Sequence, residues 1–185
     1  MDKDITNLLY KISNEIEHTV IFSADGRYAG WPANYGVWSW GDEIVTGFTL
    51  GFHDTEGGFH SRDTKKPFVS MQSRSLDGGV TWETIQAPLM APGNVAISAG
   101  EHMKHIGLSP ISEEINAPVQ SPGGIDFANS DFAMLCARSG LTRGAESWFY
   151  TSTDRCRNWN GPYSLPMFGQ LGIAARTDYL TYGPK

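Results

Sequence analysis

The sequence has few of the features that mark several large classes of protein. Its 185 residues include two cysteines, too few to require a disulfide framework, so the redox compartment stays open. No run approaches the roughly 18 apolar residues that a membrane-spanning helix needs. The 14 basic residues form no cluster that could follow a phosphate backbone, and 20 acidic residues bring the net charge to −6. Neither a membrane span nor a nucleic-acid partner is therefore expected.

Fingerprints of common cofactor and nucleophile sites are also missing. The sequence contains no phosphate-binding loop, dinucleotide motif or nucleophile elbow. His102 and His105, next to Glu101, form an H-x-x-H, but they lie in a Gly- and Pro-rich stretch and lack the pattern of a zinc helix. We therefore predict no metal and no cofactor. The acidic, polar first residues do not resemble a signal peptide, and the compartment remains unknown.

What the sequence does have is glycine, aromatic residues and period-two patterns. Its 21 glycines and 12% aromatic residues favour a globular β-rich protein. The run EIVTGFTLGF, residues 43–52, alternates large apolar residues with smaller ones, so the small face could pack closely against a neighbour. Before the β pattern starts, apolar residues at helical spacing predict a short helix over residues 4–17. An interfacial membrane helix is the alternative for that segment, but it would carry more basic residues.

One short motif occurs twice. SLDGGVTW, residues 75–82, combines a hydroxyl, a carboxylate and two glycines in the manner of a β-hairpin turn. Seventy-seven residues downstream, STDRCRNW repeats the spacing of Ser, Asp and Trp, with Cys156 at the position of the second glycine. Both copies follow one strand-like run and precede another. Repetition of this size indicates repeated antiparallel units, as in a propeller.

The repeated motif resembles the Asp-box, Ser-x-Asp-x-Gly-x-x-Trp, of the sialidase (neuraminidase) superfamily. SLDGGVTW matches that pattern in full, and STDRCRNW departs from it at Cys156. In that family the box lies at the periphery of the blades, away from the catalytic pocket. It also occurs in xyloglucanases and in propellers without enzymatic activity. We therefore interpret the box as a fold element with an Asx-type turn.

The resemblance implies an all-β fold, a sialidase-like six-bladed β-propeller of which this chain holds about two to three blades. We predict blade one over residues 20–88, blade two over 89–166 and the start of blade three over 167–185, in a single partial domain. Propellers close at about four to eight blades, so the ring would be completed by the rest of a longer chain or by other subunits. We favour the N-terminal portion of a longer protein.

The resemblance also implies a chemistry. In sialidases three arginines bind the carboxylate of sialic acid, an aspartate in a mobile loop is the general acid and base, and a tyrosine activated by a glutamate is the nucleophile. A guanidinium forms bidentate, charge-assisted hydrogen bonds to a carboxylate. A neutral nucleophile places no second anion against the acidic sugar.

Five residues of this sequence are candidates for those roles. Arg27 takes the place of the first arginine, although the family's Arg-Ile-Pro motif is absent; a surface ion pair is the alternative. For the acid and base we prefer Asp63, in HSRDTKKP, to Asp54, because Asp-x-x-Lys-Pro resembles a pattern in sialidase-like propellers. His60 and Arg62 lie near Asp63 in the sequence and could bind substrate or shift its pKa.

A second set of residues is predicted to face the same mouth of the ring. Arg176 would lie on the inner strand of the third blade and supply a second guanidinium; an ion pair with Asp178 is the alternative. Tyr179 lies beside Arg176 in the sequence. The inner strand of the second blade could line the same mouth with three polar residues, which are equally well explained as solvated strand-end residues: Asp126, Asn129 and Asp131. The indoles that could stack on sugars, although tryptophans more often fill a core, are those of Trp31, Trp38, Trp40 and Trp148.

The resemblance thus implies an exo-glycosidase that removes terminal sialic acid, or a related acidic sugar, from glycans, with its nucleophile outside this chain. Two alternatives stay open. The first is a propeller that binds glycans or proteins without catalysis, and the second is another glycosidase or a lyase on the same fold. Members of the family are often secreted or periplasmic, which does not fix the compartment of this chain.

Overall fold

The computed structural model describes residues 17–56, 58–89, 91–94, 96–97 and 115–180. The helix predicted over residues 4–17 lies outside the described residues except for Glu17, and so does the pair His102 and His105.

The longest period-two run forms the longest strand and organises the first sheet. Sheet one is antiparallel and contains β1 (Arg27–Gly30), β2 (Val37–Trp40), β3 (Glu43–Phe52), β4 (Val69–Ser75) and β5 (Glu83–Gln86). One edge of β3 pairs with β1 near its end and with β2 near its start. The other edge of β3 pairs with β4, and β4 pairs with β5.

The second sheet is shorter and also antiparallel. Sheet two contains β6 (Ala133–Arg138), β7 (Ser147–Ser152) and β8 (Asn160–Ser164), with β7 in the centre. The helical turns in the described residues are short 3₁₀ helices at Pro32–Asn34, Gly58–His60 and Pro92–Asn94. The described part of the chain is therefore all-β, as the sequence predicts.

The small face of β3 is closely packed, and its nearest contacts come from Tyr35 and Phe68 of the same predicted blade rather than from a neighbouring one. A Cβ atom at Gly47 would stand 2.7 Å from Cβ of Tyr35, and one at Gly51 would stand 2.8 Å from the ring of Phe68. At such distances backbone or ring would have to move, so both positions require glycine. The hydroxyl of Tyr35 then reaches Thr49 at 2.8 Å and Ser70 at 3.0 Å on the same face.

The two sheets pack face to face around one core. Sheet one contributes Trp38 and Val45, and sheet two contributes side chains that lie on one face of β6 and β7 by their alternation. The buried members of this core from sheet two are Ala133, Leu135, Ala137, Trp148 and Tyr150. Trp159 of the second box packs against the same core, with its ring 5.5 Å from that of Trp38.

The first box closes the hairpin between β4 and β5. Ser75 Oγ accepts the amides of Asp77 and of Gly79, the latter at 2.8 Å, and donates to Asp77 Oδ1. Asp77 Oδ1 also accepts the amide of Thr81 at 2.9 Å, and Asp77 Oδ2 accepts its hydroxyl. These bonds lower the pKa of Asp77 to about 2, chiefly through Thr81. The carboxylate is thus a structural acceptor.

The second box forms the same turn between β7 and β8. Ser152 Oγ accepts the amides of Asp154 and Cys156 and donates to Asp154, which in turn accepts both the amide and the side chain of Asn158. Arg155 and Cys156 take φ of 57° and 63°, where the first box has glycines. Although Cys156 departs from the family pattern, the turn is conserved within this molecule.

The predicted third unit differs from what the structure contains. Residues 165–180 form no strand, and Thr177 and Tyr179 instead hydrogen-bond the free edge of β6. Residues 120–132, before β6, likewise contain no strand. The conformation of these segments is set by turns and by side-chain hydrogen bonds. Neither produces a period-two pattern in the sequence.

Candidate functional site

The loop between β3 and β4 extends the hairpin before it turns. His53 and Arg62 form an isolated antiparallel bridge, and the amide of Asp63 donates to Phe52 O at 2.9 Å. At the tip, Asp54 Oδ1 accepts the amide of Glu56 at 3.0 Å in an Asx turn. The pairing fixes which side chains of the loop lie on each face of sheet one.

One face carries what we call the Arg27 group: Arg27, Phe52, Asp63 and Lys66. Arg27 Nε donates to Gly51 O at 2.7 Å, and its guanidinium carbon lies 4.5 Å from the centre of the Phe52 ring. Lys66 Nζ lies 5.0 Å from the same ring and 3.1 Å from Asp63 Oδ2. Arg27 and Asp63 therefore lie on the same face of the sheet. They are linked indirectly, because Arg27 and Lys66 both contact Phe52 and Lys66 pairs with Asp63.

The carboxyl of Asp63 is stabilised in its charged form. It accepts the amide of Lys65 at 2.9 Å and pairs with Lys66. The pKa of Asp63 is lowered by the Lys65 amide first and by Lys66 second. Thus Lys65 and Lys66, rather than the predicted His60 and Arg62, set the charge of Asp63.

The opposite face carries the Trp31 group: Tyr28, Trp31, His60, Arg62 and Phe68. Tyr28 pairs with Gly51 while Arg27 pairs with Phe52, so the two groups point to opposite sides of the sheet. The Trp31 ring lies 5.2 Å from that of Tyr28, 5.5 Å from that of Phe68 and 6.0 Å from that of His60. Arg62 stacks over Trp31 at 5.0 Å. The predicted residues His60 and Arg62 are thus separated from Arg27.

Trp31 takes an unusual backbone conformation, with φ of 57° and ψ of 44° before Pro32. A bulky residue in the left-handed region costs about 1–2 kcal/mol and persists when its surroundings fix it. Here the rings of the Trp31 group supply that packing.

The remaining predicted residues lie elsewhere. Arg176 is exposed, between Ala175, whose carbonyl accepts from Arg138, and Thr177, which bonds β6. Asp126 and Asn129 accept backbone amides two residues on, in turns before β6. Asp131 Oδ1 pairs with Arg155 Nε at 2.7 Å. Asp126, Asn129 and Asp131 were predicted to line the mouth of a ring. The structure instead shows the first two in turns and the third in an ion pair.

A charged cluster between the sheets was missed by sequence reasoning. The buried carboxylate of Glu43 pairs with Arg74, with Arg155 at 3.0 Å and with Arg157 at 2.8 Å. Burial opposes ionisation of Glu43, but the Arg155 hydrogen bond and the other two arginines outweigh it, so the pKa of Glu43 is lowered. Two of these partners lie more than 100 residues away in the sequence, and no local pattern marks them.

Comparisons of this chain with protein families, with curated proteins and with solved structures find no match. Among the described residues, no helix has the length and apolar character required to cross a bilayer. Within that same part of the chain, no cluster of three or more His, Cys, Asp or Glu residues could hold a metal ion. The fold and the site together define an all-β protein of two antiparallel sheets with duplicated box turns.

Proposed function

We propose that this chain forms successive blades of a sialidase-like, six-bladed Asp-box β-propeller and binds a glycan that ends in an acidic sugar. Two features support the fold proposal. Each box turn joins the last two strands of its own antiparallel sheet, and the second box turn packs against sheet one. Antiparallel sheets that repeat around an axis form a propeller, in which each sheet packs on its neighbour.

The position of Arg27 is the observation that carries the binding proposal. Its Nε bond to Gly51 and its contact with Phe52 hold the guanidinium in place, and no carboxylate of a described residue pairs with it. The two terminal nitrogens can then form a bidentate pair with a ligand carboxylate. Lys66 places a second cation against the same ring. A sialic acid carboxylate fits this arrangement.

The reaction we propose for the complete protein is exo-glycosidic hydrolysis. Asp63, or Asp54 at the loop tip, would protonate the leaving oxygen, and we assign the nucleophilic tyrosine and its glutamate to blades that this sequence does not contain. The chain alone is then inactive. Cleavage of a fluorogenic sialoside by a monomer of this chain would contradict the assignment.

One observation favours the second candidate, a propeller that binds without catalysis. A general acid needs a pKa close to the working pH, whereas the pKa of Asp63 is lowered by Lys65 and Lys66. Under this candidate Asp63→Asn leaves sugar binding unchanged. If the complete protein is a hydrolase, the same substitution also spares binding but abolishes turnover of a sialoside. Turnover, and not binding, therefore separates the two candidates.

Binding of 3′-sialyllactose and of lactose, followed by NMR chemical shifts, tests the shared part of both candidates. We expect a preference for the sialylated sugar and at least a tenfold loss with Arg27→Lys, about 1.4 kcal/mol, because lysine cannot form the bidentate pair. Arg143→Lys, at an exposed position in the loop before β7, is the matched control. Equal binding of both sugars, or an unaffected Arg27→Lys variant, would refute the proposal.

A further inference from the structure

The strand β2 borders an open cleft. Residues 36–40 form one wall, and Phe132 with residues 177–179 forms the other. The cleft has a volume of about 360 Å³, which lies within the usual range for small-ligand pockets. We call it the β2 cleft; it involves neither the Arg27 group nor the Trp31 group.

The backbone edge of β2 is available on the cleft side. Gly47 donates its amide to Gly36 O, so by the alternation of an antiparallel ladder Trp38 and Trp40 bond β3. The amides and carbonyls of Val37 and Ser39 then point away from β3, and within the described part of the chain they have no hydrogen-bond partner. The side chain of Val37 is 66% exposed.

Nothing in the sequence of β2 blocks pairing with another strand. Proteins protect edge strands with charged residues, proline or a bulge, and β2 reads Val-Trp-Ser-Trp. The edge strand of sheet two, β6, is covered: the amides of Cys136 and Met134 donate to Thr177 Oγ1 at 2.9 Å and to Tyr179 Oη at 3.2 Å. An extended segment therefore satisfies the edge of sheet two, whereas no described residue covers the β2 edge of sheet one.

The far wall gives the cleft a chemical preference. Asp178 is exposed there, and of the described residues that line the cleft it is the one with a charged side chain. An aromatic side chain of each wall is held in place, since Trp40 Nε1 donates to Ser130 O at 2.8 Å and Tyr179 Oη accepts the amide of Met134. A lysine or arginine side chain complements this wall by charge.

We propose that the β2 cleft binds an extended peptide, which adds to β2 as a further strand and directs a lysine or arginine side chain to Asp178. In this mode of recognition the backbone hydrogen bonds provide affinity and the side-chain contact provides specificity. The ligand is thus a protein segment rather than a sugar.

Fluorescence anisotropy with three labelled hexapeptides tests this proposal. The first alternates valine and threonine around one lysine, the second replaces that lysine by glutamate, and the third carries N-methyl groups on alternate amides of the lysine peptide. We expect the lysine peptide to bind, the glutamate peptide to bind at least tenfold more weakly, and N-methylation to abolish binding. Failure of the lysine peptide to bind, equal binding of lysine and glutamate peptides, or indifference to N-methylation would overturn the proposal.

Variants of the protein locate the peptide. Val37→Pro removes an outward amide without removing a bond to β3, and we expect it to weaken binding at least tenfold, whereas Val37→Thr keeps the amide and should bind as the parent does. Asp178→Asn changes an exposed side chain and should reduce the preference for lysine over glutamate, which provides a test even where Val37→Pro does not fold. Binding of a neutral oligosaccharide such as cellohexaose in competition with the lysine peptide, with no effect of Val37→Pro, would contradict strand addition.

Discussion

At Cys156 the backbone adopts φ of 63°, a conformation that favours glycine, and the side chain is fully buried. The Ser152 hydroxyl holds the Cys156 amide at 2.9 Å, so the turn fixes this conformation whatever residue occupies it. Burial raises the pKa of the Cys156 thiol, which keeps the sulfur neutral. The residue therefore combines a strained backbone with a packed side chain.

Cys156→Gly should be more stable than Cys156→Ala by about 1 kcal/mol, because glycine relieves the left-handed strain that alanine keeps. At Cys136, which lies in β6 and is also buried, the order should reverse, since glycine weakens a strand. Urea unfolding of the four variants measures both differences. If the alanine variant is the more stable one at both positions, the left-handed backbone at Cys156 does not lower the free energy of unfolding.

The low pKa of Asp77, about 2, predicts sensitivity of the fold to acid. The folded-state pKa lies below the ordinary value, so the stabilisation is present above about pH 4 and disappears as the pH falls toward 2. The difference in stability between the parent and Asp77→Asn should therefore narrow between pH 5 and pH 2 in urea titrations. Asp25→Asn, at an exposed turn residue before β1, serves as the control, and a constant difference for Asp77→Asn would contradict the assignment.

At the scale of elements, the contact between the second box turn and sheet one depends on charge as well as on burial. Glu43 begins β3, and the arginines that surround it come from β4 and from the turn between β7 and β8. Removal of one partner from a buried ion pair leaves the others uncompensated, which costs more than the pair contributed. The cluster therefore ties the sheets together at one end.

Glu43→Gln should lower the free energy of unfolding by about 2–3 kcal/mol, below the usual cost for a fully buried pair because Arg157 is half exposed. Glu146→Gln removes an exposed glutamate just before β7 and should change stability by less than about 0.5 kcal/mol. Equal effects of the two substitutions in urea unfolding would show that the cluster does not hold the sheets together.

Strand elements with their own pattern could be predicted from the sequence, and elements without one could not. The alternation of residues 43–52 predicts β3 with its observed bounds, and the box motif predicts the hairpins on either side of Asp77 and Asp154. The segment that covers β6 was misassigned because Thr177 and Tyr179 bond through hydroxyls, and such contacts leave no periodic signal. Arg27 and Asp63 could be selected as candidates from the sequence. That they lie on the opposite face of the sheet from Arg62 is set by the pairing register of the strands, which the sequence does not reveal.

At the scale of the whole molecule, the two box tryptophans occupy different surroundings. Trp159 donates to Gln72 Oε1 at 3.2 Å and packs on the core between the sheets, whereas Trp82 donates to Gly79 O within its own turn. Near Trp82, Leu76 and Val80 are 67% and 74% exposed. In the proposed ring, the first box would meet the preceding blade as the second box meets sheet one.

Trp159→Ala should cost about 3 kcal/mol, because it opens the core between the sheets, and Trp82→Ala should cost at least about 1 kcal/mol less. Thermal unfolding of both variants, with the parent as reference, measures the difference. Equal losses would mean that the two indoles have equivalent environments in this chain, contrary to the structure. In a complete ring the two losses should converge.

The hydroxyls of Thr177 and Tyr179 have a consequence for self-association. They occupy two amides of β6 with side chains, so no continuous row of backbone donors and acceptors is offered to the next chain, and ladder growth stops there. The segment that carries Thr177 and Tyr179 therefore prevents another strand from pairing with β6. Removal of this segment would leave the edge of β6 unpaired, and an unpaired strand edge can template fibril growth.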